Sequence, residues 1–298
     1  MSRQFEKYLI HPIERPVTDA DAKVDLIRSK DNPVMSFFYE SAFYRHPCVI
    51  CDKEYALPYD ELFCFLSTTG DDINLGAVVS FQIADRKIVT DRCCMIQVPA
   101  FVPHGPIEIT DMAEPIFSYC TGMGLEHGSL PKENWRPQDV LPLEEMIIYY
   151  NCGDAKDEHE GINQKWIMKC IPNKTMKGEI CSSLRRFFGT DGWTYVESAH
   201  LHSSPEILAY YGADPWNPYE LGGEYVHGVN GQLLTFTKPT VVFMPAYVPH
   251  CPIVVNKVDK HNIWHSAGLA TGPINRREGQ DLKNLNVEAG EVEMPEPW

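Results

Sequence analysis

The sequence has no run of 18 apolar residues, so a membrane-spanning helix is not expected. It is short of positive charge: 26 Lys and Arg stand against 41 Asp and Glu, a formal net charge of −15. Nucleic acids and anionic membranes both demand a basic surface, which argues against either as a partner. The acid excess reads instead as a solubilising surface. The opening Met1-Ser-Arg-Gln-Phe-Glu-Lys-Tyr8 lacks the apolar centre of a secretory leader, so the expected location is the cytoplasm, with reduced thiols. Helical periodicity is scarce. Ten cysteines are present, but they are poorly grouped for a metal. Cys48-Val-Ile-Cys51 has redox or zinc spacing, yet no second close pair completes a four-thiolate site. Others, such as Cys64 and Cys170, sit inside hydrophobic runs, where a thiol packs as a small hydrophobe.

What the chain does have is a duplication. Pro99-Ala-Phe-Val-Pro-His104-Gly-Pro-Ile107 returns as Pro245-Ala-Tyr-Val-Pro-His250-Cys-Pro-Ile253, identical at seven of nine positions and offset by 146. Such a match at half the chain length marks one unit built twice. At 298 residues and 44% apolar composition there is material for two cores. Short β-branched and aromatic runs follow one another between turns: Val34–Tyr39, Cys48–Cys51, Glu61–Leu66, Ala77–Ile83, Cys94–Val98 and Pro115–Tyr119. The second copy repeats them at Glu206–Tyr211, Leu221–Tyr225 and Val241–Met244, with the offset falling to 145 upstream of Leu75. This pattern reads as all-β, a sandwich or barrel in each half. Asp19–Arg28 looks like a short helix. The expected division is an N-terminal arm (1–30), a first domain (31–123), a linker (124–143), a second domain (144–271) and a polar tail (272–298).

The copies differ in their histidines. His200 and His202 stand two apart in a strand-like stretch, so both side chains share a face and Leu201 takes the other. Glu206 opens the next strand and His250 follows a later one. Three imidazoles and a carboxylate converging in a barrel mouth make a site with open coordination positions, suited to Fe, Mn, Ni, Co, Cu or Zn. In the first copy Tyr55 and Leu57 replace the two histidines, while Glu61 and His104 remain. Two ligands rarely hold a divalent ion, so no metal is expected there. Glu61 and His104 read as a buried hydrogen-bonded pair or as part of a polar pocket. Glu224 and His227 alternate along one strand, so at most one of them faces the cavity. Glu224 and His265 are the candidates for proton transfer.

With these residues in view, the chain resembles the cupin superfamily. The first motif of that superfamily, two histidines one apart, a glutamate and a later glycine, is matched by His200, His202, Glu206 and Gly212. The second is matched by Pro245 and His250, with Tyr247 where glycine is usual. The resemblance covers most of the chain twice and implies a bicupin: two tandem double-stranded β-helix (jelly-roll) barrels with few short helices. It implies one divalent transition metal per chain, with Fe or Mn foremost, and a small-molecule substrate. The reactions it implies are dioxygenation, decarboxylation, isomerisation and lyase chemistry. A dioxygenase comes first, because three neutral imidazoles leave an iron ion cationic enough to bind an anionic substrate. Redox-neutral isomerase, lyase or decarboxylase chemistry stands beside it. A non-enzymatic binding or storage bicupin is the further alternative, against which the full ligand set in one copy speaks. Two barrels in one chain can mimic a dimer, and exposed strand edges can still carry a homo-oligomer.

Overall fold

The computed structural model describes residues 4–122, 124, 129–151, 164–172, 174–188, 191–196, 199–201 and 203–269. The chain is all-β. The strands of the first half are β1 (Leu9–Ile10), β2 (Lys23–Arg28), β3 (Phe38–Tyr44), β4 (Cys48–Cys51), β5 (Glu61–Ser67), β6 (Asn74–Ile83), β7 (Arg86–Arg92), β8 (Cys94–Val98), β9 (His104–Thr110) and β10 (Ile116–Gly122). Those of the second are β11 (Ile147–Ile148), β12 (Gln164–Cys170), β13 (Ile180–Phe187), β14 (Asp191–Val196), β15 (Glu206–Gly212), β16 (Gly223–Val229), β17 (Gln232–Phe236), β18 (Thr240–Met244), β19 (His250–Val258) and β20 (Asn262–Leu269). Among the described residues the only α-helix is the four-residue turn Leu143–Met146. No helix there is long and apolar enough to cross a membrane.

Each half is a pair of antiparallel sheets with the same strand order. The first half has the six-stranded sheet β11-β8-β5-β10-β3-β2 over β4-β9-β6-β7, and the second has β1-β18-β15-β20-β13-β12 over β14-β19-β16-β17. Period-2 patterning builds these faces. In β6 exposed or half-buried residues alternate with buried Leu75, Ala77, Val79, Phe81 and Ile83. The central strand β5 is buried along its whole length.

The outermost strands are exchanged between the halves. Leu9 pairs with Val242 of the second sheet, and Ile147 pairs with Ile96 of the first, the same register position 146 residues apart. The N-terminal arm therefore completes the second barrel, and the segment after the linker completes the first. Lys23–Arg28 is a strand, not the helix expected for Asp19–Arg28: Val24 and Leu26 turn inward, and β2 pairs with β3. The described part of the linker packs back on the first barrel, with Leu130 N–H donating to Ala56 O (2.8 Å) and Arg136 N–H to Phe101 O (2.8 Å). The expected tail 272–298 lies outside the described residues.

The halves meet across a local two-fold relation. Tyr119 and His265 are equivalent by the 146-residue offset, and their rings stack with centroids 3.9 Å apart at 5°. Tyr119 Oη bonds Ser182 Oγ at 2.8 Å, and His265 Nε2 bonds Tyr39 Oη at 2.8 Å. Tyr39 and Ser182 also occupy one register position, opposite Thr121 and Ala267. An ion pair crosses the same boundary: fully buried Arg186 reaches Asp72 Oδ1 with Nε (2.6 Å) and Ser67 O with Nη2 (2.7 Å). A buried pair of this kind costs much to break singly.

Candidate metal centre

His200 and His250 are joined by a two-way backbone bridge, His200 N–H to His250 O at 3.0 Å and the reverse at 2.9 Å. That bridge brings the rings to 4.4 Å between centroids. His250 opens β19, and its Nδ1 lies 3.0 Å from the Val248 carbonyl, which can only accept. Nδ1 therefore donates to that carbonyl, and Nε2 faces Glu206 Oε2 at 3.4 Å. A backbone carbonyl that fixes the tautomer is the usual second contact of a metal-binding imidazole. His202 lies outside the described residues. Among the described residues no three His, Cys, Asp or Glu side chains form a group that could hold a metal ion. His200, Glu206 and His250 are residues of the kind a divalent transition ion takes.

The turn before His250 is left-handed at Tyr247 (φ +63°), as is the equivalent Phe101 (φ +66°) before His104. The glycine conformation of the second motif is thus kept without glycine. Directly after the histidines, Gly105 (φ +94°) in the first copy is matched by Cys251 (φ +84°) in the second. A side chain at such angles costs on the order of 1–2 kcal/mol, and His250 alone is flanked by two of them. Gly212 has a different need: a methyl there would collide with the Glu220 carbonyl oxygen.

The first barrel uses the same backbone for another purpose. Tyr55 bridges His104 as His200 bridges His250, at 2.9 and 2.8 Å. Buried Glu61 accepts from His104 Nε2 (2.8 Å), Cys120 Sγ (2.9 Å) and Tyr55 Oη (3.2 and 3.3 Å). Burial, then the Glu61 charge, pushes both the Tyr55 phenol and the Cys120 thiol up, so both stay protonated donors. A cavity of about 160 Å³ touches Glu61, Tyr55, Cys120, Glu40 and Lys23.

Glu224 and His265 stand away from these histidines. Glu224 faces outward and accepts from Asn256 Nδ2 at 2.8 Å. His265 lies between the barrels, on the face of β20 opposite to Ser266, the counterpart of Cys120. Of the pair Glu224 and His227, the sequence favoured Glu224, but the inward residue is His227. It is fully buried on the inner row of β16 with Tyr225 and Val229, and its Nδ1 lies 3.0 Å from Tyr210 Oη. Burial first, then the neighbouring His250, pushes His227 down to about 3, against the opposing pull of Glu206. Alternation alone could not say which of Glu224 and His227 faces inward. The repeat could have, because Phe81, 146 residues earlier, heads no polar contact and belongs to an inward row.

No protein-family model matches the sequence, and no curated protein matches it. Solved structures do match its fold. Vicilin from hazelnut (Corylus avellana) superposes over 96% of this chain and 96% of its own, at 11% identity and a TM-score of 0.53. AerE from Microcystis aeruginosa covers 87% of this chain and 98% of its own, at 10% identity and a TM-score of 0.52. Oxalate decarboxylase from Bacillus subtilis, a protein with Mn(II) centres, covers 87% and 74%, at 12% identity and a TM-score of 0.49. At these identities the likeness is one of fold, and the fold is that of the two-barrel cupins.

Proposed function

We propose that the second barrel binds one divalent transition metal, Fe or Mn foremost, through His200, His202, Glu206 and His250, and that the protein is a metal-dependent enzyme acting on a small organic molecule. One contrast carries this reading. In the first barrel Glu61 accepts from a thiol, a phenol and an imidazole, whereas in the second His200 stands in the place of the phenol and Ser266 in that of the thiol, with His250 Nε2 3.4 Å from Glu206. Bound there, the ion would supply Lewis-acid or redox chemistry at an open position. The Val248 carbonyl accepts from His250 Nδ1 and so aims Nε2 at Glu206. Buried His250 and His227 keep that side of the site dry, which strengthens every charge interaction inside it. Dioxygenation is the leading reaction. Isomerase, lyase or decarboxylase chemistry uses the same ligands and is the second reading. The protein is taken to be cytoplasmic, with a small-molecule substrate and further copies of itself as its macromolecular partner.

Elemental analysis of protein expressed in metal-replete medium tests the proposal. The parent should carry about one equivalent of transition metal, and His200→Ala/His202→Ala should lose most of it, because metal affinity rests on the assembled ligand set. A parent with less than about a tenth of an equivalent would refute the reading. Oxygen uptake with substrate separates the dioxygenase from the redox-neutral enzyme. Metal-dependent melting with no substrate consumed would favour a binding protein.

A further inference from the structure

Two aromatic positions of the first barrel have become polar in the second, and they have changed together. Tyr210 occupies the place of Phe65, since Tyr210 pairs with Thr240 and Phe65 with Cys94, 146 residues apart. His227 occupies the place of Phe81, since the two pair with Ile253 and Ile107. Phe81 packs against Phe63 at 4.9 Å and lies 6.1 Å from the His104 ring. The corresponding place in the second barrel is beside His250, in agreement with the fields of His250, Glu206 and His200 felt by His227. Each change alone would bury a polar group in an apolar wall. Made together, they give a Tyr210 Oη to His227 Nδ1 hydrogen bond of 3.0 Å.

That bond leaves one atom over. His227 is fully buried, and its Nε2 makes no hydrogen bond. A phenol is a good donor and a neutral imidazole nitrogen a good acceptor; with Tyr210 donating to Nδ1, the ring proton sits on Nε2. A buried N–H without an acceptor costs about 1–3 kcal/mol, so it is retained where something else completes it.

We propose that His227, oriented by Tyr210, is a substrate-positioning donor of the second barrel, and that its Nε2–H donates to no protein group because it binds an oxygen of an anionic substrate, a carboxylate. The proposal rests on the second barrel being the small-molecule site and names the substrate class it takes. His227 is outside the proposed ligand set of His200, His202, Glu206 and His250, and it needs no metal to act. The first barrel, with phenylalanine at both places, has no such donor.

Formate is the smallest carboxylate, so pocket size cannot exclude it. Protein labelled with ¹⁵N-histidine, both metal-free and zinc-loaded, is titrated with formate and, at equal ionic strength, with chloride. The ring signals of His227 are assigned by their loss in His227→Phe. That variant and Tyr210→Phe install residues the first barrel already holds at those positions, so both should fold. The expected result is the Nε2–H tautomer in the parent, moved saturably by formate and not by chloride. Formate binding should weaken about tenfold or more in His227→Phe, the effect of losing a hydrogen bond to a charged group. It should weaken less in Tyr210→Phe, where the donor remains but is loose. An Nε2 without its proton, an Nε2 bound to zinc, or a His227 signal indifferent to formate would overturn the proposal. Metal content measured on the same samples separates this outcome from failure of the metal-enzyme reading: a protein that binds no metal but shows the formate shift loses the second and keeps the first.

Discussion

Giving the first barrel the two histidines it lacks should load a second ion. Tyr55 already holds His104 through backbone bonds of 2.9 and 2.8 Å, against 3.0 and 2.9 Å for His200 and His250. An imidazole at position 55 therefore starts from the right backbone, and Leu57 is its neighbour two residues on. Glu61 and His104 are in place at 2.8 Å. Without metal the Tyr55→His/Leu57→His variant loses the Tyr55 bonds to Glu61, about 1 kcal/mol, and buries an imidazole in place of Leu57, about 1–3 kcal/mol. The metal-free variant should thus be about 2–4 kcal/mol less stable than the parent. Metal at a thousandfold excess over Kd would return about 4 kcal/mol. The assay is metal per chain by elemental analysis, together with the thermal midpoint before and after chelation. The parent should hold about one equivalent and the variant about two, with a chelator-sensitive gain in midpoint that disappears when Glu61→Gln is added. A folded variant that still holds one equivalent, with no new chelator-sensitive step, would refute the claim that positions 55 and 57 separate the two barrels.

Two further outcomes concern the boundary between the halves. Asp72→Ala leaves the buried Arg186 guanidinium without its carboxylate and should cost about 3–5 kcal/mol in denaturant unfolding, while a double change to apolar residues, Asp72→Leu/Arg186→Met, should recover most of it; a loss under about 1 kcal/mol for the single variant would remove the ion pair as a clamp. Burial pushes His265 down to about 3 from an unfolded value of 6.5. Between those values the unfolded chain holds one proton more, so stability is complete above about pH 6.5 and falls by about 1.4 kcal/mol per pH unit below it. His265→Phe should flatten the stability-versus-pH curve by that slope, and an unchanged slope would show that His265 does not titrate as its burial implies.

The fold was largely legible because two independent regularities agree on it. The period-2 runs identify strands, and the offset of 146 says that whatever one half forms the other forms too. What escaped was non-local. Nothing in Leu9–Ile10 says that it pairs with β18, 231 positions away, because a two-residue strand carries no register of its own. Asp19–Arg28 misled for a related reason: a short mixed run of charges and apolar residues fits either period until a neighbour, here β3, selects one. At the site, the His104–Glu61 pairing was legible from the motif, while Cys120 as a third donor was not, since it lies 59 positions from Glu61 and reaches it only through the β5–β10 register. His265 looked catalytic from its place near the end of the barrel, but alternation gives that face to Ser266 and sends His265 to the boundary, against Tyr119.

The duplication also serves as an internal control, because one backbone carries two side-chain sets. Around the Glu–His pair most of the exchanges run in a single chemical direction. Leu57 becomes His202, Phe65 becomes Tyr210 and Phe81 becomes His227, each adding a hydrogen-bonding atom to the second barrel, while Tyr55 exchanges its phenol for the imidazole of His200. Meanwhile Cys120, which closes Glu61 off, becomes Ser266, which bonds Ser183 Oγ at 2.8 Å. If both barrels served only as scaffold, polar exchanges into a buried wall would be a pure cost, of about 1–3 kcal/mol for each unmatched group. The first barrel shows how this wall is built for stability alone: phenylalanines at 63, 65 and 81, and a carboxylate with every donor supplied internally. The second departs from that solution at Phe65 and Phe81, which become Tyr210 and His227, and keeps left-handed side chains on both sides of His250. Tyr210 and His227 satisfy one another, so the cost that remains is the unmatched His227 Nε2, and a bound group that engages it is the physical term that would balance that cost.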